Sequence, residues 1–166
     1  MKQNFYFSVI LMIFSLSVYA QEDNCIFGNE AQKRIDKAMK LYQSAKNEDQ
    51  LIDAATELEW ALRNNPNCEK IYLTLANIYT EMGQYRSRDI LKSKTYSDCE
   101  EIYSYGDQYF VMARSRLDLL MEFNEDPNVA SEVEELLNNI SVEENKLTEN
   151  YNLLVKNWQL KNAKKR

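Results

Sequence analysis

The chain has 166 residues, of which only 3 are glycine and 2 proline; it has no histidine, and its formal net charge is −6. Sandwiches and barrels need turn residues roughly every 8–12 positions, and dinucleotide or phosphate loops need clustered glycines, so both classes are excluded. The lack of histidine removes Ser-His-Asp and Cys-His catalysis, HExxH zinc sites and Glu-x-x-His di-iron ligands, and the acidic balance speaks against a nucleic-acid footprint or general attraction to anionic lipid.

An all-α domain remains. The N-terminus reads as a signal peptide over residues 1–20: Lys2 gives a small positive region, residues 5–18 are almost wholly apolar, and Val18-Tyr19-Ala20 has the pattern of a signal-peptidase site. The apolar run is short for a bilayer span of roughly 20 residues, so no membrane span is expected after cleavage. Lipid attachment at Cys25 is not expected, because Glu22-Asp23-Asn24 precede it where a lipobox needs small apolar residues. Removing residues 1–20 takes away one lysine and no acid, which leaves a net charge of −7. The chain is thus expected to be exported, periplasmic or secreted. Three cysteines in an exported chain read as one disulfide and one leftover thiol, and the spacings between Cys25, Cys68 and Cys99 match no metal motif.

Apolar residues then recur at helical period. Ile35, Ala38, Leu41, Tyr42 and Ala45 predict a helix over 29–46, ended by the polar run 46–49. Leu51, Ala54, Ala55, Leu58, Ala61 and Leu62 predict a second over 49–64, stopped at Asn64-Asn65-Pro66. Tyr72, Leu75, Ala76 and Tyr79 predict a third over 69–82, with Gly83 as its C-terminal stop. Weaker patterns suggest helices over 86–95, 99–105 and 107–123, and Pro127 ends this part. Beyond it, Val129, Val133, Leu136, Ile140, Leu147, Tyr151, Leu154 and Trp158 form a heptad-like seam that fits one helix or two. Ser141 with Glu144 reads as a capping box, and the seam lapses at Glu143, so a break at Asn138-Asn139 is favoured. The last residues, Lys161, Lys164, Lys165 and Arg166, read as a solvated basic tail.

Ala54, Leu58, Ala61 and Pro66 have the spacing of the second-helix signature of tetratricopeptide (TPR) repeats. The following segment, CEKIYLTLANIYTEMGQY, resembles the first helix of such a repeat: Tyr72 and Tyr79 stand at its aromatic positions, Leu75-Ala76 at its Leu-Gly/Ala pair, Gly83 and Tyr85 at its turn. Elsewhere the match lapses, with Tyr42 at a small position and Arg88 where another small residue belongs. A second Cys-Glu-x-Ile-Tyr run at Cys99–Tyr103 repeats that of Cys68–Tyr72. The resemblance, to a small exported bacterial type, implies a stack of about three helical hairpins over residues 21–127, closed by a C-terminal helix or helix pair over 128–166.

It also implies a concave groove lined by the first helix of each hairpin, which puts Met39, Gln43, Lys46, Lys70, Leu73, Asn77 and Thr80 forward as partner-binding residues. All three cysteines should then lie at one end of the stack, and Cys68–Cys99 is the expected disulfide. The function implied is a non-enzymatic adaptor or scaffold of the bacterial envelope, monomeric or weakly oligomeric, that binds a protein or peptide partner; no cofactor, metal or nucleic acid is expected. The alternative is a structural oligomer assembled through the heptad-like helix. Acidic neighbours such as Glu57/Glu59 and Glu143/Glu144 read as solvated helix faces, since glycosidase carboxylates come from different walls of a cleft. No catalytic residue is assigned.

Overall fold

The computed structural model describes residues 25 and 27–163, so the signal peptide expected over 1–20 and the end of the basic tail lie outside the described residues. Among the described residues five α-helices follow one another: α1 (Asn29–Ser44), α2 (Glu48–Asn64), α3 (Glu69–Asp89), α4 (Tyr96–Phe123) and α5 (Pro127–Ala163), with a 3-10 turn at Ile90–Lys92 after α3. No strand occurs among the described residues, and no helix there is long and apolar enough to cross a membrane.

Local chemistry sets three of the helix starts. The Asn47 side chain accepts a hydrogen bond from the Gln50 amide (3.1 Å) at the start of α2, and Thr95 accepts one from the Asp98 amide (3.1 Å) at the start of α4. Asp126 accepts from the Asn128 amide (2.8 Å), and Pro127 takes the first position of α5, where its missing N–H leaves no bond unmade.

Each helix runs antiparallel to the next. Arg34 and Lys37 of α1 meet Glu57 of α2, Glu48 of α2 meets Arg86 of α3, Tyr72 of α3 meets Phe123 of α4, and Tyr103 of α4 stacks on Tyr151 of α5. Consequently α1, α3 and α5 point one way. The ends agree: Cys25, just before α1, is bonded to Cys68, just before α3, and Asn150 of α5 bonds Ser87 late in α3. Helix α3 packs on α2, α4 and α5, and its buried residues include Ile71, Tyr72, Leu75, Ala76, Ile78, Tyr79 and Met82.

Gly83 does not stop α3, which continues to Asp89. A Cβ at Gly83 would lie 2.5 Å from Cζ of Phe110, a fully buried ring on α4. Glycine is there so that the ring can rest on the α3 backbone. Gly106 works likewise inside α4, where a Cβ would meet Leu147 Cδ2 of α5 at 2.7 Å and Arg86 Cβ of α3 at 3.0 Å. Helices expected over 86–95, 99–105 and 107–123 are therefore replaced by the end of α3, a 3-10 turn and one 28-residue α4. The arrangement is two hairpins, α1–α2 and α3–α4, with α5 laid against the second, rather than about three hairpins and a cap.

The break expected at Asn138-Asn139 is absent as well. Ser141 caps nothing; its hydroxyl donates to the Leu137 carbonyl (2.9 Å) inside α5. The helix persists because the seam is covered along its length: Val129, Val133, Ile140 and Leu147 are buried, while Leu136, Tyr151, Leu154 and Trp158 pack against the core. Next to Glu143, where the heptad lapses, Glu144 makes an ion pair with Arg114 of α4.

Two half-buried polar triads tie α2, α3 and α4 together. Glu48 accepts from Arg86 Nε (3.0 Å) and from the Tyr109 hydroxyl (2.9 Å). Glu59 accepts from the Tyr79 hydroxyl (2.8 Å) and from Arg116 Nε (2.8 Å). Tyr79 and Arg86 are two turns apart on α3, as Tyr109 and Arg116 are on α4, and the two helices supply opposite partners to each carboxylate.

The Gly83→Ala variant is expected to be less stable than wild type in urea unfolding. Alanine recovers about 1 kcal/mol of helix propensity, but overpacking a filled site costs about 1–3 kcal/mol. Phe110→Leu in the same chain should return part of the loss. A Gly83→Ala protein as stable as wild type would contradict the packing described.

Candidate functional site

A cleft of about 340 Å³ lies between α1 and the first turns of α3. Ile35, Met39 and Gln43 recur every four residues on α1, with Asp36 and Lys40 beside them, and so share its inner edge. From α3 come Lys70, Ile71 and Thr74, and Leu58 of α2 closes the floor beneath them. Phe27, Cys25 and Cys68 form the end wall. The floor is apolar, whereas the rim carries Gln32, Asp36, Lys40, Gln43 and Lys70.

Helix α1 is fastened where it borders the cleft. Lys37 Nζ lies 2.7 Å and Arg34 Nη1 3.1 Å from the Glu57 carboxylate of α2, and the Arg34 guanidinium also covers the Trp60 ring at 4.1 Å. The Lys37 hydrogen bond, with Arg34 behind it, holds the Glu57 carboxyl below its usual range. Farther along the same groove, Tyr42 of α1 is half-buried near Glu81 of α3, and burial with that charge raises its phenol.

The end wall corrects the expected disulfide. Cys68 is bonded to Cys25, with Cα atoms 5.0 Å apart, and Cys99 is a free, buried thiol. The recurrence of Cys-Glu-x-Ile-Tyr is not a structural repeat. Cys68 precedes α3, whereas Cys99 lies in the first turn of the antiparallel α4, near the other end of α3. A helix of that length spans about 30 Å, far beyond the reach of a disulfide. Burial raises the Cys99 thiol above its ordinary range, with Glu100 adding to the effect.

Of the seven residues expected to bind a partner, Met39, Gln43 and Lys70 line the cleft. Lys46 is exposed in the α1–α2 turn, where its amide donates to Gln50 Oε1 (2.7 Å). Asn77 Nδ2 donates to the Leu73 carbonyl (3.1 Å) on its own helix, and Leu73 packs against the core. Thr80 is buried, with its hydroxyl on the Ala76 carbonyl (2.7 Å). It lies two turns before Ser87, on the face that α5 covers through Asn150, so it does not border the groove.

Several lining residues were not expected. Ile35 reads from periodicity as core, and its half-burial at the cleft edge is not distinguishable from that in sequence. Phe27 precedes the first helical pattern, and only its nearness to Cys25 hints that it is held. A second groove of about 410 Å³ runs between α3 and α5, lined by Leu91 and by polar residues such as Arg88, Glu143, Lys146 and Asn150; it holds none of the expected binding residues.

Comparison of the chain with protein-family models, curated proteins and solved structures finds no match. The α1–α3 cleft is chemically suited to holding an apolar side chain against Ile35 and Met39 while amides, Asp36 and lysine ammoniums engage the backbone and flanking groups.

The Glu57 clamp carries a pH signature. Its carboxyl is held low in the folded chain, so its stabilisation is present above the ordinary carboxylate range and is lost as pH falls through the folded value. Urea unfolding between neutral and acid pH should show Glu57→Gln to be the less stable protein at neutral pH, with the gap closing as pH falls below about 4. An unchanged gap across that range would contradict this role for Glu57.

Proposed function

We propose that the protein is a non-enzymatic interaction module of the tetratricopeptide type, acting as an adaptor or scaffold and holding a segment of a partner protein in the cleft between α1 and α3. The observation that carries this reading is the cleft itself, with its apolar floor, polar rim, and Met39, Gln43 and Lys70 on its walls. The parallel course of α1, α3 and α5 supports it further, because residues of alternate helices then share one extended side of the molecule. An apolar side chain seated against the half-buried Ile35 and Met39 would anchor the segment.

Export to an oxidising compartment, the periplasm or the exterior of a bacterial cell, forms part of the same proposal. Supporting it are the Cys25–Cys68 disulfide and the signal-like residues 1–20. An oligomer assembled through the heptad-like seam is the weaker reading, because the seam's apolar residues already face α3 and α4.

The test is site-directed photocrosslinking in cell-envelope extract. A photoreactive residue replacing Met39 or Gln43 is expected to capture a common protein, and one replacing exposed Val142 on α5 is not. Capture that is absent at the cleft positions, or equal at all three, would overturn the assignment.

A further inference from the structure

Helix α5 changes character at Glu149. Its inner side is apolar along the whole length, but the side turned away from the core is not uniform. Before Glu149 that outer side presents mostly polar residues, among them Glu135, Asn138 and Asn145, all exposed. Beyond it, Leu153, Lys156 and Leu160 follow at steps of three and four, on the side opposite the inward Leu147, Tyr151, Leu154 and Trp158. From Asn150 to Asn162 there is no acidic residue, Lys156 and Lys161 are exposed, and in sequence Lys164, Lys165 and Arg166 follow. In a chain whose net charge is −6, this stretch is the opposite in sign.

The inner contacts fix which way this stretch faces. The Tyr151 ring lies 4.4 Å from that of Tyr103, and the Trp158 ring sits edge-on to Tyr96, the first residue of α4, at 6.0 Å. Glu100 of α4 accepts from the Tyr96 hydroxyl and lies near Tyr151, so its charge is on the inner side of α5. Leu153 and Leu160 cannot turn inward without breaking those ring contacts. A third leucine joins them from another element. The 3-10 turn packs on α5, and its Leu91 lines the same groove as Glu149 and Asn150, one turn before Leu153. Leu91, Leu153 and Leu160 are each more than half exposed.

We propose that this end of α5 is a peripheral docking surface for a bilayer of anionic phospholipid. Leucines on a convex helix surface enter the headgroup region shallowly, while neighbouring lysine ammoniums stay at the phosphates. A protein segment would need a recess to lie in, and a single helix face offers none. The acidic remainder of the chain is repelled by the same bilayer, so the attraction is confined to this end and orients the molecule. The cleft lies at the other end of α3, roughly 30 Å away along that helix, so a partner held there stays clear of the lipid. The docking does not depend on what the cleft binds.

The chain from residue 21 onward, which keeps every described residue, is sedimented with lipid vesicles at low salt. It is expected to pellet with equimolar phosphatidylglycerol and phosphatidylcholine, to stay in solution with phosphatidylcholine alone, and to be released by high salt. The double variant Leu153→Gln, Leu160→Gln is expected to bind at least about tenfold more weakly, with its far-ultraviolet circular dichroism unchanged because both side chains are exposed. Replacing Lys156 and Lys161 by glutamine should weaken binding about fivefold for each lysine removed. Amide hydrogen exchange with the anionic vesicles should slow over residues 150–162 and not along α1. No pelleting with the anionic vesicles, or equal pelleting with both kinds, would overturn the proposal. So would a leucine variant that binds like wild type, because charge alone would then be the cause, or protection that falls outside 150–162. Retention on poly-glutamate without vesicle binding would give the face to an acidic protein and overturn it equally.

Discussion

The fold rests on the close approach of α4 to α3, which requires that α3 carry no side chain at Gly83. Phe110 fills the space a Cβ would take and is fully buried there. Gly106 allows the same closeness one layer on, where Leu147 of α5 and Arg86 of α3 both reach the α4 backbone. With two helices drawn so near, α3 is enclosed by α2, α4 and α5, and room for a cleft is left where its first turns face α1. The only two glycines within helices are thus spent on packing. That use runs against their propensity, which disfavours glycine in a helix interior by about 1 kcal/mol relative to alanine.

Apolar packing alone leaves helices free to slide by a turn, and the two triads remove that freedom. Glu48 with Arg86 and Tyr109, and Glu59 with Tyr79 and Arg116, fall into place together only in one register of α2, α3 and α4. Burial, together with Glu59, pushes the Tyr79 phenol far above its ordinary range, so Tyr79 stays a hydrogen-bond donor throughout the neutral range.

Much of this was legible in the residues. The inward faces of α2 and α3 appear as unbroken helical periodicity, because both helices are buried along a stripe that repeats every three or four positions. The seam of α5 was legible for the same reason. What misled were residues whose local and tertiary roles conflict. Gly83 has the local character of a helix stop but a neighbour, Phe110, that needs it inside the helix. Asn138-Asn139 and Ser141 look like a boundary, yet α3 and α4 support the helix across them. The cysteine pairing was hidden by a sequence echo that falls on antiparallel helices. Thr80 is buried with its hydroxyl on the Ala76 carbonyl, a placement that a polar residue does not disclose in sequence.

The cleft follows from these constraints: α1 is held to α2 by the Glu57 clamp and to α3 at one end by the disulfide, so a gap persists between them over Leu58 and Ile71. The claim that a partner segment lies in this gap is tested most directly by amide hydrogen exchange on the protein with its captured partner bound and free. Bound protein is predicted to gain protection along α1 and over residues 68–75 of α3. Protection confined to the outer face of α5, with α1 unchanged, would contradict it.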